Sequence, residues 1–205
     1  MLRLHSKLLI IGVSTLILSA CNNLFSVKRA TATDWHVADA AVSNEFDSSG
    51  RLAVVDDDKG SYANFSWQSL NNVQTIEVNT PLGNSIGVLC RDQQGVIAED
   101  SHGQITTAAS VEELSQRMLG FALPFDHLNQ WVQGYWIKGE PHKIMPDGSL
   151  LQSGWRIHRQ LTKDSNTPRI VKLNNQRFDI KLVFDEYAQT TDKLSQCELR
   201  QKQSE

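Results

Sequence analysis

From residue 51 the apolar positions recur with a period of two, the signature of half-buried strands. Runs at 51–55 and 62–68 flank Asp56-Asp57-Asp58-Lys59-Gly60, which predicts a hairpin, and in the second run Ala63, Phe65 and Trp67 share one face. After Asn71-Asn72 come runs at 73–78 and 86–91, joined by Asn79-Thr80-Pro81-Leu82-Gly83-Asn84. Gln93-Gln94-Gly95 turns into 96–99, and Ser101-His102-Gly103 turns into 104–107. Turns this closely spaced describe an antiparallel meander and leave no room for crossover helices. The period then lengthens. Ser110 and Glu113 form a capping box ahead of an apolar stripe of Val111, Leu114 and Met118, stopped by Gly120. Pro124 starts a second short helix carrying Leu128, Trp131 and Val132, stopped by Gly134. Strands resume at 155–161, 169–173 and 178–185, with Asn174-Asn175 as a turn; in the last, Phe178, Ile180, Leu182 and Phe184 face one way and Asp179, Lys181 and Asp185 the other.

Ahead of the meander, Trp35, Ala38, Val42 and Phe46 fall near one helical face, which predicts a helix from Asp34 that ends at Ser48-Ser49-Gly50. Residues 22–33 are small and polar, with Lys28 and Arg29, and read as a tether; residues 188–205 read as a frayed polar tail. No internal repeat is present. The expected architecture is a strongly curved antiparallel sheet interrupted by a helical pair, with another helix in front. The concave apolar face of such a sheet needs a cover, and helices lying across the opening can leave a hollow beneath.

The first twenty residues carry a different message. Arg3 and Lys7 precede an apolar run over 8–18, which ends in Leu18-Ser19-Ala20-Cys21. Roughly 20 apolar residues are needed to cross a bilayer, so this run fits the core of a secretory signal instead. The tetrapeptide resembles the lipobox of bacterial lipoproteins. That resemblance implies cleavage before Cys21, lipid attachment to its thiol, and an anchored protein that does not span the membrane. Asn22 follows the cysteine, where an aspartate would favour inner-membrane retention, so an outer-membrane location is implied. Removing residues 1–20 from 205 leaves 185, enough for one domain with its own core. Arg3 and Lys7 leave with the signal, so Lys plus Arg falls from 20 to 18 against 23 Asp plus Glu, a balance of −5. No basic run interleaved with aromatics is present, so nucleic acid is not an expected partner.

Candidate chemistry is sparse. Gly83-Asn84-Ser85-Ile86-Gly87 has the spacing of a nucleophile elbow, but that motif needs a helix after the serine and the residues here alternate as a strand. His36, His102, His127, His142 and His158 stand singly, without metal-ligand spacing, and Asp56-Asp57-Asp58 lacks the spaced ligands of a calcium loop. No catalytic group, metal or cofactor is therefore expected. With Cys21 acylated, Cys90 and Cys197 remain; an oxidising periplasm would allow them to pair, but Cys197 lies in the polar tail and Cys90 reads better as a small apolar strand residue. Trp67, Trp131 and Trp155 lie on elements whose apolar faces should meet, either as plain core or as the lining of a cavity for acyl chains. Leu82 stands between a proline and a glycine at a loop tip, where it is either tucked into the core or presented to something apolar.

Several segments, in order after the lipobox, resemble the LolB family of outer-membrane lipoprotein receptors. They are Ser49-Gly50-Arg51-Leu52-Ala53, Phe65-Ser66-Trp67-Gln68, Thr80-Pro81-Leu82-Gly83, and Leu119-Gly120-Phe121-Ala122-Leu123-Pro124 through Leu128-Asn129-Gln130-Trp131-Val132-Gln133-Gly134. The chain departs from the family pattern at Ala122, where a second proline is common, and at Thr80, where an asparagine is common. The resemblance covers 34–187 and implies an unclosed antiparallel β-barrel with a helical lid over an apolar cavity. It also implies that the protein takes mature lipoproteins from the periplasmic carrier LolA by direct transfer of their acyl chains. It would then insert them into the outer membrane, at whose periplasmic face it is anchored. On that reading Pro81, Leu82 and Gly83 form a membrane-engaging loop and Phe65, Trp67, Trp131 and Trp155 line the acyl-chain cavity. Its partners would be loaded LolA, the acylated N-termini of lipoproteins and outer-membrane lipid. The alternative is a lipid-binding lipoprotein that carries free lipids or small hydrophobes without a carrier.

Overall fold

A computed structural model describes residues 26–38, 45–57, 59–70, 72–119 and 124–203. Its elements run in the order β1 Val27–Arg29, a 3-10 turn Ala32–Asp34, β2 His36–Val37, β3 Phe46–Asp56, β4 Lys59–Leu70, β5 Val73–Asn79, β6 Ser85–Asp92, β7 Gly95–Asp100 and β8 Ile105–Ala108. The helices α1 Val111–Leu119 and α2 Phe125–Gln133 follow. After them come β9 Tyr135–Trp136, β10 His142–Ile144, β11 Leu150–Gln152, β12 Trp155–Thr162, β13 Pro168–Asn174, β14 Phe178–Gln189 and α3 Leu199–Gln203. The main sheet has 12 strands in the order β10-β11-β12-β13-β14-β3-β4-β5-β6-β7-β8, with β1 beside β12. Its last long strand, β14, pairs antiparallel with its first, β3, over 178–189 against 46–56. The two halves of the chain therefore join at their middles. The outer strands β8 and β10 do not pair with each other, so the sheet is open, and α1 and α2 form part of the connection between those edges.

Alternation along each strand decides which side chains enter the core. In β14 Phe178, Ile180, Leu182 and Phe184 are buried while Asp179, Lys181 and Asp185 are exposed. Beyond Phe184 a bulge places Asp185 and Glu186 both outward and returns Tyr187 to the interior. Gly50 faces the bulge, and a Cβ there would sit on the Val183 carbonyl oxygen, so only glycine fits. The inner face joins Trp35, Phe46, Phe65, Trp67, Trp131, Trp155, Ile157, Val171, Leu173 and the apolar side of β14 in one cluster, closed over by Leu128, Trp131 and Val132 of α2. A second inner cluster joins Val96, Ala98, Val111, Leu114 and Phe125 and seats α1 on β7.

The helical pair forms as its local signals predict. Glu113 N–H donates to Ser110 Oγ at 3.1 Å, and the Glu113 carboxylate accepts from Ala109 N–H at 3.2 Å. Met118's side chain and Gly120 lie outside the described residues. Gly134 ends α2 in the left-handed region at φ 95°, its N–H bonding the Gln130 and Trp131 carbonyls. At that end Arg159, 4% exposed on the inner face of β12, donates to the Val132 carbonyl at 3.1 Å and to the Asp34 carbonyl at 3.0 Å. Its guanidinium lies 5.1 Å from the Trp35 ring centre. Burial pulls the Arg159 pKa down to about 10, opposed by the nearby charge of Asp34, so the side chain stays a cation at neutral pH. One cation thus ties the C-terminal end of α2 to the N-terminal segment.

Three expectations are corrected. No helix runs from Asp34: the segment is a 3-10 turn, then β2 paired parallel with β9, and Phe46 already belongs to β3. Ser48-Ser49-Gly50 continues that strand, with Phe46, Ser48 and Gly50 buried at period two. Val42 lies outside the described residues. The spacing of 35, 38, 42 and 46 fits a helix only if the last apolar residue is counted away from its own strand. Second, the tether expected over 22–33 is shorter, because Val27–Arg29 pairs with β12 and Ala30 is 2% exposed.

Third, the C-terminal segment is not frayed and Cys90 is not a free thiol. Cys90 and Cys197 are joined by a disulfide. Cys197 and Leu199 pack with Val73, Cys90 and Ile97, against Val88, Ile105 and Leu194, on the outer face of β5–β8. Arg200 clasps Asp92 with two bonds of 2.7 Å and also reaches the Gly95 carbonyl, while Cys197 N–H donates to Asp92 at 2.9 Å. These contacts, the Arg200 bonds foremost, hold the Asp92 pKa at about 2.

Candidate functional site

Cys21 lies outside the described residues, and the other sequence-nominated residues fall into two groups that the fold keeps apart. Phe65, Trp67, Trp131 and Trp155 come together in the inner cluster, at 4%, 1%, 0% and 6% exposure. Phe65 and Trp67 enter it from β4 because odd-numbered positions of that strand point inward; Trp155 enters from β12 and Trp131 from α2. Aromatic edges meet aromatic faces here. Trp67 lies 4.9 Å from Phe46 at 81°, and Phe65 lies 5.5 Å from Phe184 at 82°. Trp67 is also 6.3 Å from Phe125, the first residue of α2.

Polar atoms in this interior are few and mostly committed. Trp131 Nε1–H donates to Gln152 Oε1 at 3.0 Å, and Gln152 also bonds both backbone groups of Ile137. Asn129 donates to Ser69 at 3.0 Å. Trp67 Nε1–H is buried with no acceptor among the described residues. The described apolar side chains of this cluster pack against one another. A cleft of about 750 Å³ opens instead at one end of β10–β13, where its wall includes Lys143, Gln152, Arg156 and Asn175, and of the four aromatic positions it reaches only Trp155.

The second group is the loop joining β5 to β6. Thr80 builds it: Thr80 N–H donates to the Asn84 carbonyl, Gly83 N–H donates to the Thr80 carbonyl, both at 2.8 Å, and Asn84 N–H donates to Thr80 Oγ1 at 3.1 Å. Pro81 takes the second turn position, which its fixed φ suits, and Gly83 takes φ 88°. Between them Leu82 is 91% exposed. The loop is closed by its own backbone and its apolar tip touches no core. Ser85 then opens β6, a strand, where a nucleophile elbow needs a helix.

Sequence reasoning missed the buried Arg159, the Asp92–Arg200 clasp and the aromatic partners Phe46 and Tyr187. For the clasp a signal existed. Val96, Ile97 and Ala98 are three consecutive apolar residues of β7, all at most 2% exposed, and such a run implies cover on both faces of the strand.

The chain matches the family described as outer membrane lipoprotein LolB over residues 44–187. It is 44% identical over 161 residues to the outer-membrane lipoprotein LolB of Neisseria meningitidis, covering 77% of this chain and 82% of that protein. It is 32% identical over 176 residues to that of Chromobacterium violaceum, covering 84% and 93%. With that of Klebsiella pneumoniae it shares 28% identity over 196 residues, covering 87% and 96%. An open antiparallel sheet lidded by a helical pair, an aromatic interior and an exposed leucine loop thus accompany a family match across most of the chain, which belongs to the outer membrane lipoprotein LolB family.

Proposed function

We propose that the mature protein, acylated at Cys21, accepts lipoproteins from the periplasmic carrier LolA and inserts them into the outer membrane. Membership of the LolB family places its work in lipoprotein localisation at the outer membrane. No covalent step is required of it. The cargo is a set of acyl chains, each methylene of which is worth about 0.8 kcal/mol when kept from water. Direct passage from one apolar interior to another avoids that exposure. Delivery needs only a modest preference at each stage, since about 1.4 kcal/mol is a tenfold bias.

For acyl chains to enter, the packed interior has to open. Helix α2 is the part that moves in this reading. It contributes Leu128, Trp131 and Val132 to the cluster and is held by the Asn129–Ser69, Trp131–Gln152 and Arg159–Val132 bonds. Phe65, Trp67, Trp131 and Trp155 then line the opened cavity. The unpaired indole N–H of Trp67 is available to an ester or amide carbonyl at the head of an acyl chain.

The observation that carries the proposal is Leu82, 91% exposed on a hydrogen-bonded turn. Burying a leucine side chain in a bilayer yields roughly 1.5–3 kcal/mol. That is too little to anchor a protein and sufficient to turn the cavity mouth to the lipid surface. Leu82→Glu should fold and accept cargo from LolA normally yet fail to pass it to liposomes, while Leu82→Phe should remain active. A two-stage transfer assay separates the steps. A Leu82→Glu protein that delivers to liposomes at the wild-type rate would refute the loop's role, and normal binding of free fatty acid without uptake from LolA would refute the receptor reading.

A further inference from the structure

The large apolar side chains exposed on the described surface are Val27, Val55, Tyr62, Leu82 and Ile86. Strand register gathers several of them. Asn64 of β4 faces Asn79, the last residue of β5, so Tyr62 lies two positions further on, beside the Pro81-Leu82 turn. Tyr62 is 74% exposed, on the face opposite Phe65 and Trp67. Ile86, second in the next strand, lies on that same outer face, two positions from Val88, which packs outward against the C-terminal segment.

In the other direction the same outer row is cationic. Tyr62 pairs with Ala53, Ala53 with Lys181, Lys181 with Lys172, and Lys172 with His158. Lys181 and Lys172 are both exposed. Arg29 on β1 lies beside this row, opposite Gln160. Burial first, and then Arg156, Arg29 and Lys172, lower the His158 pKa against the pull of Asp147, which marks a concentration of positive charge on this face. Acidic groups border the row: Asp179 lies on the same outer face two positions from Lys181, Asp56 is bound by Arg177 with Asp57 following it in the turn, and Asp147 acts on His158. An aromatic ring next to a leucine, flanked by a line of cations, is the composition of a surface that meets lipid headgroups.

The length of chain between the anchor and the body makes the same point. β1 begins at Val27, so the span from Cys21 reaches at most about 20 Å. Val27 is level with Thr162, four residues along β12 from His158, which is about 13 Å of strand. The acylated end can therefore be brought to this row, and the body cannot stand far from the membrane that holds the lipid.

We propose that the outer face running from Leu82 through Tyr62 to Lys181, Lys172 and His158 is a docking surface for an anionic phospholipid bilayer, on which the anchored body lies while it delivers cargo. The inference rests on the reading of Leu82 as a membrane contact and extends it from a point to a line, which fixes the body's orientation. Leu82 and Tyr62 supply burial at the headgroup boundary; the lysines supply attraction to lipid phosphates.

The test uses the acylated mature protein in vesicles of phosphatidylethanolamine with and without phosphatidylglycerol. Because Cys90 and Cys197 are paired, Tyr62→Cys or Leu82→Cys gives a single free thiol for an environment-sensitive fluorophore. Quenching by lipids spin-labelled at the headgroup level then reads contact. Both positions are expected to be quenched, position 62 more strongly as phosphatidylglycerol is added. Lys172→Gln with Lys181→Gln should lower the ratio of docked to undocked body at position 62 about thirtyfold, about fivefold per lysine. Quenching at 82 without quenching at 62 would overturn the docking surface and leave the loop contact standing. Quenching at neither would overturn both. Quenching at 62 that ignores phosphatidylglycerol and the lysine substitutions would overturn the cationic row.

Discussion

Reduction of the Cys90–Cys197 disulfide is the perturbation whose size the structure sets most directly. The bond joins residues 107 apart in sequence, so in the unfolded chain it closes a loop of more than half the protein. The entropy of closing a loop that long corresponds to about 5 kcal/mol at 25 °C, against a total stability of about 5–15 kcal/mol for a typical domain. The folded side adds to the cost, since a released C-terminal segment would uncover Val73, Val88, Ile97 and Ile105 on the outer face of the sheet. With a urea slope of about 2 kcal/mol per molar, the unfolding midpoint should fall by about 2.5 M on reduction. The assay is urea unfolding followed by tryptophan fluorescence, on oxidised protein and on protein whose two free thiols have been counted by alkylation. Cys90→Ala with Cys197→Ala should match the reduced form. A fully reduced protein that unfolds at the oxidised midpoint would refute the reasoning, and would mean that Asp92, Arg200 and Leu199 alone hold the segment.

Three further outcomes follow from particular contacts. Asp92 has a folded pKa of about 2 against 3.8 ordinarily, so its contribution is complete above about pH 4 and is lost as the pH falls through 2; it is worth about 2 kcal/mol. Acid unfolding of wild type and Asp92→Asn should therefore converge near pH 2 and differ at pH 5, and parallel curves would count against the clasp. Gly50→Ala forces a Cβ onto the Val183 carbonyl beside the β14 bulge and should cost about 3 kcal/mol, seen as a lower midpoint; an unchanged midpoint would show that the bulge relaxes freely. Trp131→Ala empties a site that is 0% exposed and should cost about 3–5 kcal/mol in the same measurement, so its effect on cargo uptake has to be read in the folded fraction; a stable variant would place Trp131 outside the core.

What was legible in the chain alone was local in origin. The long strands show a period of two because one face of each meets the core, and Phe178, Ile180, Leu182 and Phe184 carry that face without reference to any other segment. The helical pair was legible from Ser110 with Glu113 and from Pro124 with Gly134, whose bonds close within a few residues. The turn at Pro81-Leu82-Gly83 was legible for the same reason, although the exposure of Leu82 depends on no distant segment returning to cover it. Strands of two or three residues, such as β2, β9, β10 and β11, are too short to display a period, and their pairing is set by the long strands and helices beside them. Phe46 fits a helical spacing and a strand spacing equally until its neighbours are known. The C-terminal segment was opaque because each of its buried groups is explained by a partner about a hundred residues earlier: Cys197 by Cys90, and Arg200 by Asp92. Taken alone, 188–205 is a polar stretch with one cysteine. Only the tertiary structure, by setting the outer face of β5–β8 in need of cover, makes it part of the domain.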